Sequence, residues 1–255
     1  MKRLVHNLLG KFGYAIRRTH TLQGGNPGSV TRPIGLIKPF LEDVRARGFA
    51  PRGIIDIGAN RGEWTRMALS IFPGASVLMI EPQDEMEGFL AELESRELNC
   101  HFIKAGVGRQ PGELAQTIWE DSEGSSFLPP PTAELQGAGK QRKTRIVTID
   151  GVLAKDYPQL MPDLVKLDIQ GFELEALSGA ETIFGKTELF ILEVSLFGFL
   201  PGWPLAREVI SFMSARGYEL YDICGSGRRP RDGALGQLDL AFVKGNGRFR
   251  QSAEW

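Results

Sequence analysis

The sequence lacks several features that mark common classes of protein. No apolar run approaches the ~20 residues needed to cross a bilayer. The first residues also lack a continuous apolar segment with a small-residue cleavage site, so we expect no secretory signal. Basic residues (30) nearly balance acidic ones (31), and this balance gives no electrostatic case for a nucleic-acid partner. We therefore predict a cytoplasmic protein that does not bind nucleic acid.

Cysteine is also rare, with Cys100 and Cys224 far apart in the chain. Both lie within predicted strands, where we interpret them as small buried hydrophobic side chains rather than as a disulfide. Free buried thiols are typical of a reducing compartment, which agrees with the predicted location.

The segment Gly53–Gly62 reads G-I-I-D-I-G-A-N-R-G. An apolar strand carrying Asp56 stops at Gly58, and apolar residues at helical spacing follow from Trp64. Strand, glycine turn and helix form the opening unit of a nucleotide-binding α/β sheet, in which Gly58 and Gly62 would let a ligand approach the backbone. Close packing of helix on strand is the alternative interpretation.

The turn does not match G-x-G-x-x-G, so the sequence gives little support to a pyrophosphate site. A nucleoside without phosphates fits better, and S-adenosylmethionine is the common one. Asp56 and Asn60 are then predicted to hold its amino-acid end. Glu81 and Pro82 follow a predicted strand, and Glu81 lies 23 residues after Gly58. This is near the ~20-residue offset of a ribose-binding carboxylate, although a strand cap is the alternative.

Strands and helices alternate along most of the chain, which predicts an α/β fold with a mostly parallel sheet and helices on both faces. Asn99–Val107, 113–119, Arg145–Ile149, Leu164–Ile169 and Glu188–Val194 are further predicted strands. Tyr218–Cys224 and Asp239–Val243 are predicted to close the sheet as an antiparallel hairpin. We expect a helical extension over residues 1–50, one domain over 51–246 and a tail over 247–255.

Residues 1–20 combine an apolar face with Lys2, Arg3, Lys11, Arg17 and Arg18. The spacing predicts a basic amphipathic helix. Such a helix rests on a membrane leaflet as a peripheral contact, or it packs on the domain or on a second subunit of a homodimer. The sequence leaves these alternatives open.

Carboxylates recur at the ends of apolar strands, where ligands bind in open α/β sheets. Asp56, Glu81, Asp168 and Glu193 all occupy such positions. Buried acidic groups are costly unless they are solvated, paired or bound to a ligand. Four of them at one predicted edge therefore indicate a functional site.

At these positions the sequence resembles the FkbM-type S-adenosylmethionine-dependent methyltransferases. The matching stretches are I-D-I-G-A-N-R-G at 55–62, I-E-P at 80–82, T-I-D at 148–150, K-L-D-I-Q-G-F-E-L-E-A-L-S-G-A at 166–180, L-E-V at 192–194 and L-D-L-A-F-V at 238–243. The resemblance implies a Rossmann-like seven-stranded sheet and methylation of a hydroxyl in a sugar, glycolipid, polysaccharide or natural product. It also suggests that Ser125 and Ser126, in the polar segment 120–143, bind the small-molecule or glycan acceptor. Gly106, at the end of a predicted strand, joins the expected cofactor-binding residues.

The acceptor hydroxyl must lose its proton, yet the three histidines, His6, His20 and His101, lie away from the predicted edge. Asp168 and Glu193 are therefore the predicted catalytic residues. They are also predicted ligands of Mg²⁺ or another divalent cation, as in catechol-type O-methyltransferases, with Asp239 as a third ligand and Glu173 as a weaker candidate. Alternatively, Asp168 and Glu173 order the Gln170–Gly171 turn.

Two other functional classes remain open from the residues alone. One is an NAD(P)-dependent oxidoreductase, and the other is a non-catalytic nucleoside-binding scaffold. A basic loop carrying Arg228, Arg229 and Arg231 is open to two interpretations as well: contact with an anionic acceptor, or a solvated turn.

Overall fold

A computed structural model describes residues 32–119 and 122–252. The chain divides into two units, Met1–Arg32 and Pro33–Trp255, and the described residues from Pro33 onward belong to the second. The predicted basic helix over residues 1–20 lies outside the described residues. Within the described ranges, no helix is long and apolar enough to span a bilayer.

The secondary structure alternates much as the sequence predicts. The strands are β1 (Gly53–Ile57), β2 (Ser76–Glu81), β3 (Cys100–Lys104), β4 (Gly106–Val107), β5 (Gly112–Thr117), β6 (Gln141–Val147), β7 (Pro162–Leu167), β8 (Leu189–Ser195), β9 (Tyr218–Arg228) and β10 (Leu235–Lys244). The helices are α1 (Ile37–Ala46), α2 (Glu63–Ile71), α3 (Glu87–Arg96), α4 (Ala133–Gly137), α5 (Ile149–Lys155), α6 (Glu173–Leu177) and α7 (Ala206–Ser214).

Seven strands of the described chain form one sheet in the order β3-β2-β1-β7-β8-β10-β9. The first five strands are parallel to one another, and β10 pairs antiparallel with both β8 and β9. The predicted fold class is therefore confirmed. The chain builds outward from β1 through β2 and β3, and it then returns to place β7 and β8 on the other side of β1. Such a reversal of strand order opens a crevice at the carboxyl ends of β1 and β7.

Helices cover both faces of this sheet, as predicted. One apolar cluster joins Ile55 and Ile57 of β1 to α5, α6 and α7, while the other joins Ile54 to α1, α2 and α3. The α1 helix therefore packs within the unit that starts at Pro33, whereas the sequence divides the chain at residue 50. Cys100 and Cys224 are both buried, as predicted, and lie in β3 and β9 at opposite edges of the sheet.

The strand predicted over Asn99–Val107, with its end near Ala105–Gly106, is divided at that point into β3 and β4. The chain leaves the main sheet after Lys104, and β4 joins a separate three-stranded sheet of order β4-β6-β5. Gly106 makes this possible, because a Cβ there would lie 2.3 Å from the ring of Phe127. The predicted strand 113–119 likewise belongs to the small sheet.

Two other boundaries differ from the prediction. Thr148 ends the strand early because its side chain accepts a hydrogen bond from the backbone N–H of Gly151, which caps α5. The basic loop is also shorter than predicted: β9 continues to Arg228 and β10 starts at Leu235, so the hairpin extends further past the end of β8.

Candidate active site

A cleft of about 810 Å³ opens at the carboxyl ends of β1, β2, β7 and β8, and residues of the small sheet and of the segment between β5 and β6 line its other side. It lies at the reversal of strand order, where open α/β sheets bind their ligands. The structure brings most of the predicted site residues together along this cleft: Gly58, Asn60, Glu81, Pro82, Gly106, Ser125, Ser126, Asp168, Glu193 and Asp239. Asp56, Gly62 and Glu173 do not line it.

Gly58 has φ +78, and a Cβ there would lie 2.0 Å from the carbonyl oxygen of Asp168. The close approach at this glycine is thus between the ends of β1 and β7. A Cβ on Gly62 would face Leu90 and Leu93 of α3 at 3.1 and 3.0 Å. Both glycines therefore allow close packing within the domain, and Gly58 also lines the cleft.

Glu81 is held at the wall of the cleft by two backbone hydrogen bonds. Its side chain is buried, and its two oxygens accept hydrogen bonds from the backbone N–H groups of Asn60 (2.9 Å) and Gln83 (3.0 Å). Burial raises the pKa of Glu81, while the N–H groups of Gln83 and Asn60 act to lower it. Asn60 adopts φ +46 to make its bond. The carboxylate is therefore held in one orientation at the cleft wall.

Asp56 lies beneath the cleft rather than in it. Its side chain is fully buried, and its Oδ2 accepts a hydrogen bond from the Thr65 hydroxyl at 2.6 Å. Its Oδ1 lies 3.6 Å from the ammonium of Lys166, whose Nζ is also 3.3 Å from Asp168 Oδ2. Burial raises the pKa of Asp56, and Lys166 opposes this effect.

Lys166 is a functional candidate that the sequence reasoning missed, although it begins the 166–180 motif. Burial by itself would lower its pKa, but the carboxylates of Asp168 and Asp56 outweigh this effect and raise it. The ammonium therefore stays charged between two carboxylates. A lysine inside the apolar strand D-L-V-K-L-D was the available signal, because a buried lysine requires a charged partner.

Gln170 joins the two predicted catalytic residues. It takes φ +52, and its Nε2 donates hydrogen bonds to Asp168 Oδ1 (2.9 Å) and Glu193 Oε2 (2.8 Å). Gln237 Nε2 donates a second bond to Glu193 Oε2 at 2.8 Å. The sequence reasoning gave no role to either glutamine.

Burial, together with the nearby carboxylates of Asp168, Glu173 and Asp239, raises the pKa of Glu193 to about 10. Burial and these neighbouring charges therefore favour the protonated form of Glu193. Asp168 differs in that a third of its side chain is exposed. Burial also raises the pKa of Asp239.

Glu173 orders the turn after β7. Its Oε1 accepts hydrogen bonds from the backbone N–H groups of Ile169 (3.0 Å) and Gly171 (3.3 Å). Burial raises the pKa of Glu173 to about 7. This arrangement agrees with the capping alternative and places the side chain behind the cleft.

The predicted divalent-metal site of Asp168, Glu193 and Asp239 is not supported. In residues 32–119 and 122–252, no group of three or more His, Cys, Asp or Glu side chains is placed to hold a metal ion. The donor set explains why: the Gln170 amide bridges Asp168 and Glu193, and the Lys166 ammonium already neutralises Asp168. The carboxylate of Asp239 instead lies against Gly225 of β9.

The segment between β5 and β6 lines the cleft from the other side. The Ser126 hydroxyl donates a hydrogen bond to the carbonyl oxygen of Gln170 at 2.6 Å, and it accepts one from Leu128 N–H at 3.0 Å. Ser125 also lines the cleft, and its Oγ lies 3.4 Å from the backbone nitrogen of Trp119. Ser126 is thus hydrogen-bonded to the turn after β7, and both serines line the cleft.

Comparison with protein families gives a match to the methyltransferase FkbM domain over residues 56–220. No sequence among curated proteins matches the chain. Solved structures with a similar fold include methyltransferase FkbM from Methylobacillus flagellatus KT, with 17% identity, a TM-score of 0.47, and coverage of 75% of this chain and 44% of that one. The chain thus spans less than half the length of that protein.

Two further similar structures are methyltransferases of small molecules. One is precorrin-6y C5,15-methyltransferase from Geobacter metallireducens GS-15, with 12% identity, a TM-score of 0.44, and coverage of 80% of this chain and 86% of that one. The other is 1,6-didemethyltoxoflavin-N1-methyltransferase from Burkholderia thailandensis, whose structure holds its substrate and S-adenosylhomocysteine. It has 14% identity, a TM-score of 0.44, and coverage of 95% of this chain and 89% of that one.

Proposed function

The chain belongs to the FkbM methyltransferase family, and from this premise we propose that it moves a methyl group from S-adenosylmethionine to a hydroxyl of a glycan-type acceptor. The acceptor class comprises sugars, glycolipids, polysaccharides and natural products with such hydroxyls. Family membership favours this function over an NAD(P)-dependent oxidoreductase or a non-catalytic nucleoside-binding scaffold. The observation that carries the proposal is one cleft with the fixed Glu81 carboxylate on one side and Asp168 on the other.

Glu81 is proposed to accept hydrogen bonds from the ribose hydroxyls of the cofactor. Two backbone N–H groups fix the carboxylate before the ligand arrives, so binding costs little reorganisation. Asn60 lines the same wall and is proposed to hold the amino-acid end. Asp56 acts from beneath the cleft, since it pairs with Lys166, which in turn holds Asp168.

When bound, the cofactor supplies an electrophilic methyl group on a sulfonium. Asp168 is proposed to accept the proton of the acceptor hydroxyl as the new bond between oxygen and carbon forms. Lys166 and Gln170 hold its carboxylate at 3.3 and 2.9 Å, which limits it to one orientation. Glu193 keeps its proton and is proposed to donate a hydrogen bond to the acceptor.

Calorimetry with S-adenosylhomocysteine tests the cofactor. The wild-type protein is expected to bind it, and Glu81→Gln is expected to lower the affinity about 10-fold or more, because a hydrogen bond to a charged group is worth about 1.5–3 kcal/mol. Glu92→Gln, on the exposed face of α3, is the matched control and should leave affinity unchanged. No binding by the wild-type protein would sink the cofactor assignment.

Labelled methyl transfer tests the acceptor. The protein is incubated with methyl-labelled S-adenosylmethionine and separate glycolipid, polysaccharide and free-sugar fractions, which are then hydrolysed and examined by mass spectrometry for O-methyl sugars. Label only in products that carry N-methyl or C-methyl groups would contradict the hydroxyl acceptor.

A further inference from the structure

Four large apolar side chains are exposed beside the mouth of the cleft. Ile34 and Leu36, in the segment before α1, are 77% and 50% exposed, and Leu196 and Phe199, in the segment after β8, are 39% and 41% exposed. We call these four residues the rim. Exposed large apolar side chains in two segments that border one cleft are candidates for an interaction surface.

Backbone contacts place both halves of the rim at the carboxyl edge of the sheet. Gly35 donates a hydrogen bond to the carbonyl oxygen of Ile223 in β9 at 2.9 Å, and Leu196 donates one to Gly236 in β10 at 2.8 Å. The residue after Gly236, Gln237, lines the cleft, as does Ile37 next to Leu36. The rim therefore borders the entrance to the site.

Positive charge accompanies these apolar residues, although the chain as a whole carries a net charge of −1. Segments 196–208 and 226–236 contain four arginines and two acidic residues. Asp232 forms an ion pair with Arg229 at 2.5 Å, and the guanidinium of Arg229 lies 3.9 Å from the centre of the Phe197 ring. The remaining arginines are Arg207, Arg228 and Arg231, all exposed.

The sequence that precedes Ile34 also carries a net positive charge. Residues 1–33 contain six lysines and arginines and no acidic residue. The basic sequence thus runs directly into the exposed apolar residues that border the cleft.

We propose that the rim docks on an anionic lipid surface, so that the entrance of the cleft faces the membrane. Exposed leucine, isoleucine and phenylalanine side chains insert at the boundary of headgroups and acyl chains, and arginines are attracted to anionic headgroups. If the proposed function holds, docking implies that the acceptor hydroxyl belongs to a lipid-linked molecule; only this consequence rests on the proposed function. The docking itself needs neither cofactor nor acceptor.

Vesicle flotation of the full chain tests the docking. The wild-type protein is expected to float with vesicles of phosphatidylglycerol and phosphatidylcholine, to float at least 5-fold less with phosphatidylcholine alone, and to lose binding in high salt. The variants Leu196→Ser/Phe199→Ser and Arg207→Ser/Arg231→Ser are each expected to reduce flotation at least 5-fold. Leu98→Ser is the control, because Leu98 is 95% exposed but lies before β3, at the opposite edge of the sheet.

Each outcome bears on the proposal. No flotation of the wild-type protein overturns it, and so does undiminished flotation of both double variants, since residues 1–31 would then bind vesicles without the rim. An equal loss in Leu98→Ser also overturns it. Calorimetry with S-adenosylhomocysteine on the same preparations keeps the two proposals separate, because a failure of the cofactor assignment leaves flotation unchanged. Retained affinity also shows that the rim variants are folded.

Discussion

The two sides of the cleft hold their carboxylates in different ways. On the β2 side, Glu81 is fixed by the backbone N–H groups of Gln83, two residues later, and of Asn60, in the turn after β1. On the β7–β8 side, Asp168 and Glu193 are held by the side chains of Lys166, Gln170 and Gln237. A backbone-held group is insensitive to most substitutions around it, whereas a group held by side chains depends on each partner. We expect substitutions on the β7–β8 side to have larger effects.

The largest expected effect is on catalysis. Asp168→Asn should reduce methyl transfer about 10²–10⁴-fold, the usual contribution of a general base, because the amide cannot accept the hydroxyl proton. Affinity for S-adenosylhomocysteine should change little. Asp163→Asn is the control, since Asp163 pairs with Arg52 at the amino edge of the sheet. Full transfer by Asp168→Asn would remove Asp168 from its proposed role.

Lys166→Met should reduce the free energy of unfolding by about 3–5 kcal/mol, because it leaves Asp56 and Asp168 without their shared cation. Urea denaturation measures the change. The double variant Lys166→Met/Asp56→Asn should recover part of the loss, since it also removes the buried charge. No recovery would indicate that the lysine acts by packing alone.

Glu193 should make stability depend on pH. Its pKa rises from an ordinary 4.5 to about 10 on folding, so the folded state binds the extra proton between these values. The contribution of Glu193 to the free energy of unfolding is fully present below pH 4.5 and is lost as the pH rises toward 10. The free energy of unfolding then falls by at most about 1.4 kcal/mol per pH unit. Urea midpoints of wild type should therefore fall from pH 6 to pH 8.5.

Glu193→Gln keeps the shape of the side chain and removes the titration, so its midpoints should fall less steeply over the same range. Glu173, whose pKa rises to about 7, contributes to the remaining slope. Parallel curves for the two proteins would contradict the assignment of the proton to Glu193.

The smallest expected effect concerns the small sheet. Gly106→Ala places a methyl group 2.3 Å from the Phe127 ring, and overpacking of this kind costs about 1–3 kcal/mol. Because Gly106 lines the cleft and is a predicted cofactor-binding residue, the substitution should also weaken binding of S-adenosylhomocysteine. Gly112→Ala is the control, since a Cβ there meets nothing within 4 Å. Equal stability of the two variants would show that the ring yields easily.

The same comparison explains how far the sequence could predict the site. Glu81 was predictable because its position depends on a local offset from Gly58 within one strand–helix–strand unit. Asp168 and Glu193 were placed correctly at the ends of neighbouring strands. Their environment was not predictable, because Gln237 is 44 residues from Glu193 in the chain and meets it only through the pairing of β10 with β8. Since the sequence does not show that pairing, it suggested that Asp168 and Glu193 were metal ligands.

The fold was predictable where a hydrophobic periodicity extends over a whole helix or strand. The prediction failed where a single contact determines the path of the chain. The departure of the chain at Gly106 depends on Phe127, which lies 21 residues later. The turn after β7 depends on Glu173, which accepts hydrogen bonds from two backbone N–H groups. No periodic pattern in the sequence predicts these two hydrogen bonds. The packing of α1 against Ile54 likewise depends on the completed sheet.

The close approach of Gly58 to the Asp168 carbonyl has a consequence for protein engineering. The two residues are 110 positions apart in the sequence, yet neither strand end can change without the other. A chimera that takes β1–β3 from one protein and β7–β8 from another must therefore preserve glycine at 58 as well as the backbone path at 168. Recombination within this family should tolerate crossover points in the segment 129–140 far better than exchanges that alter either strand end.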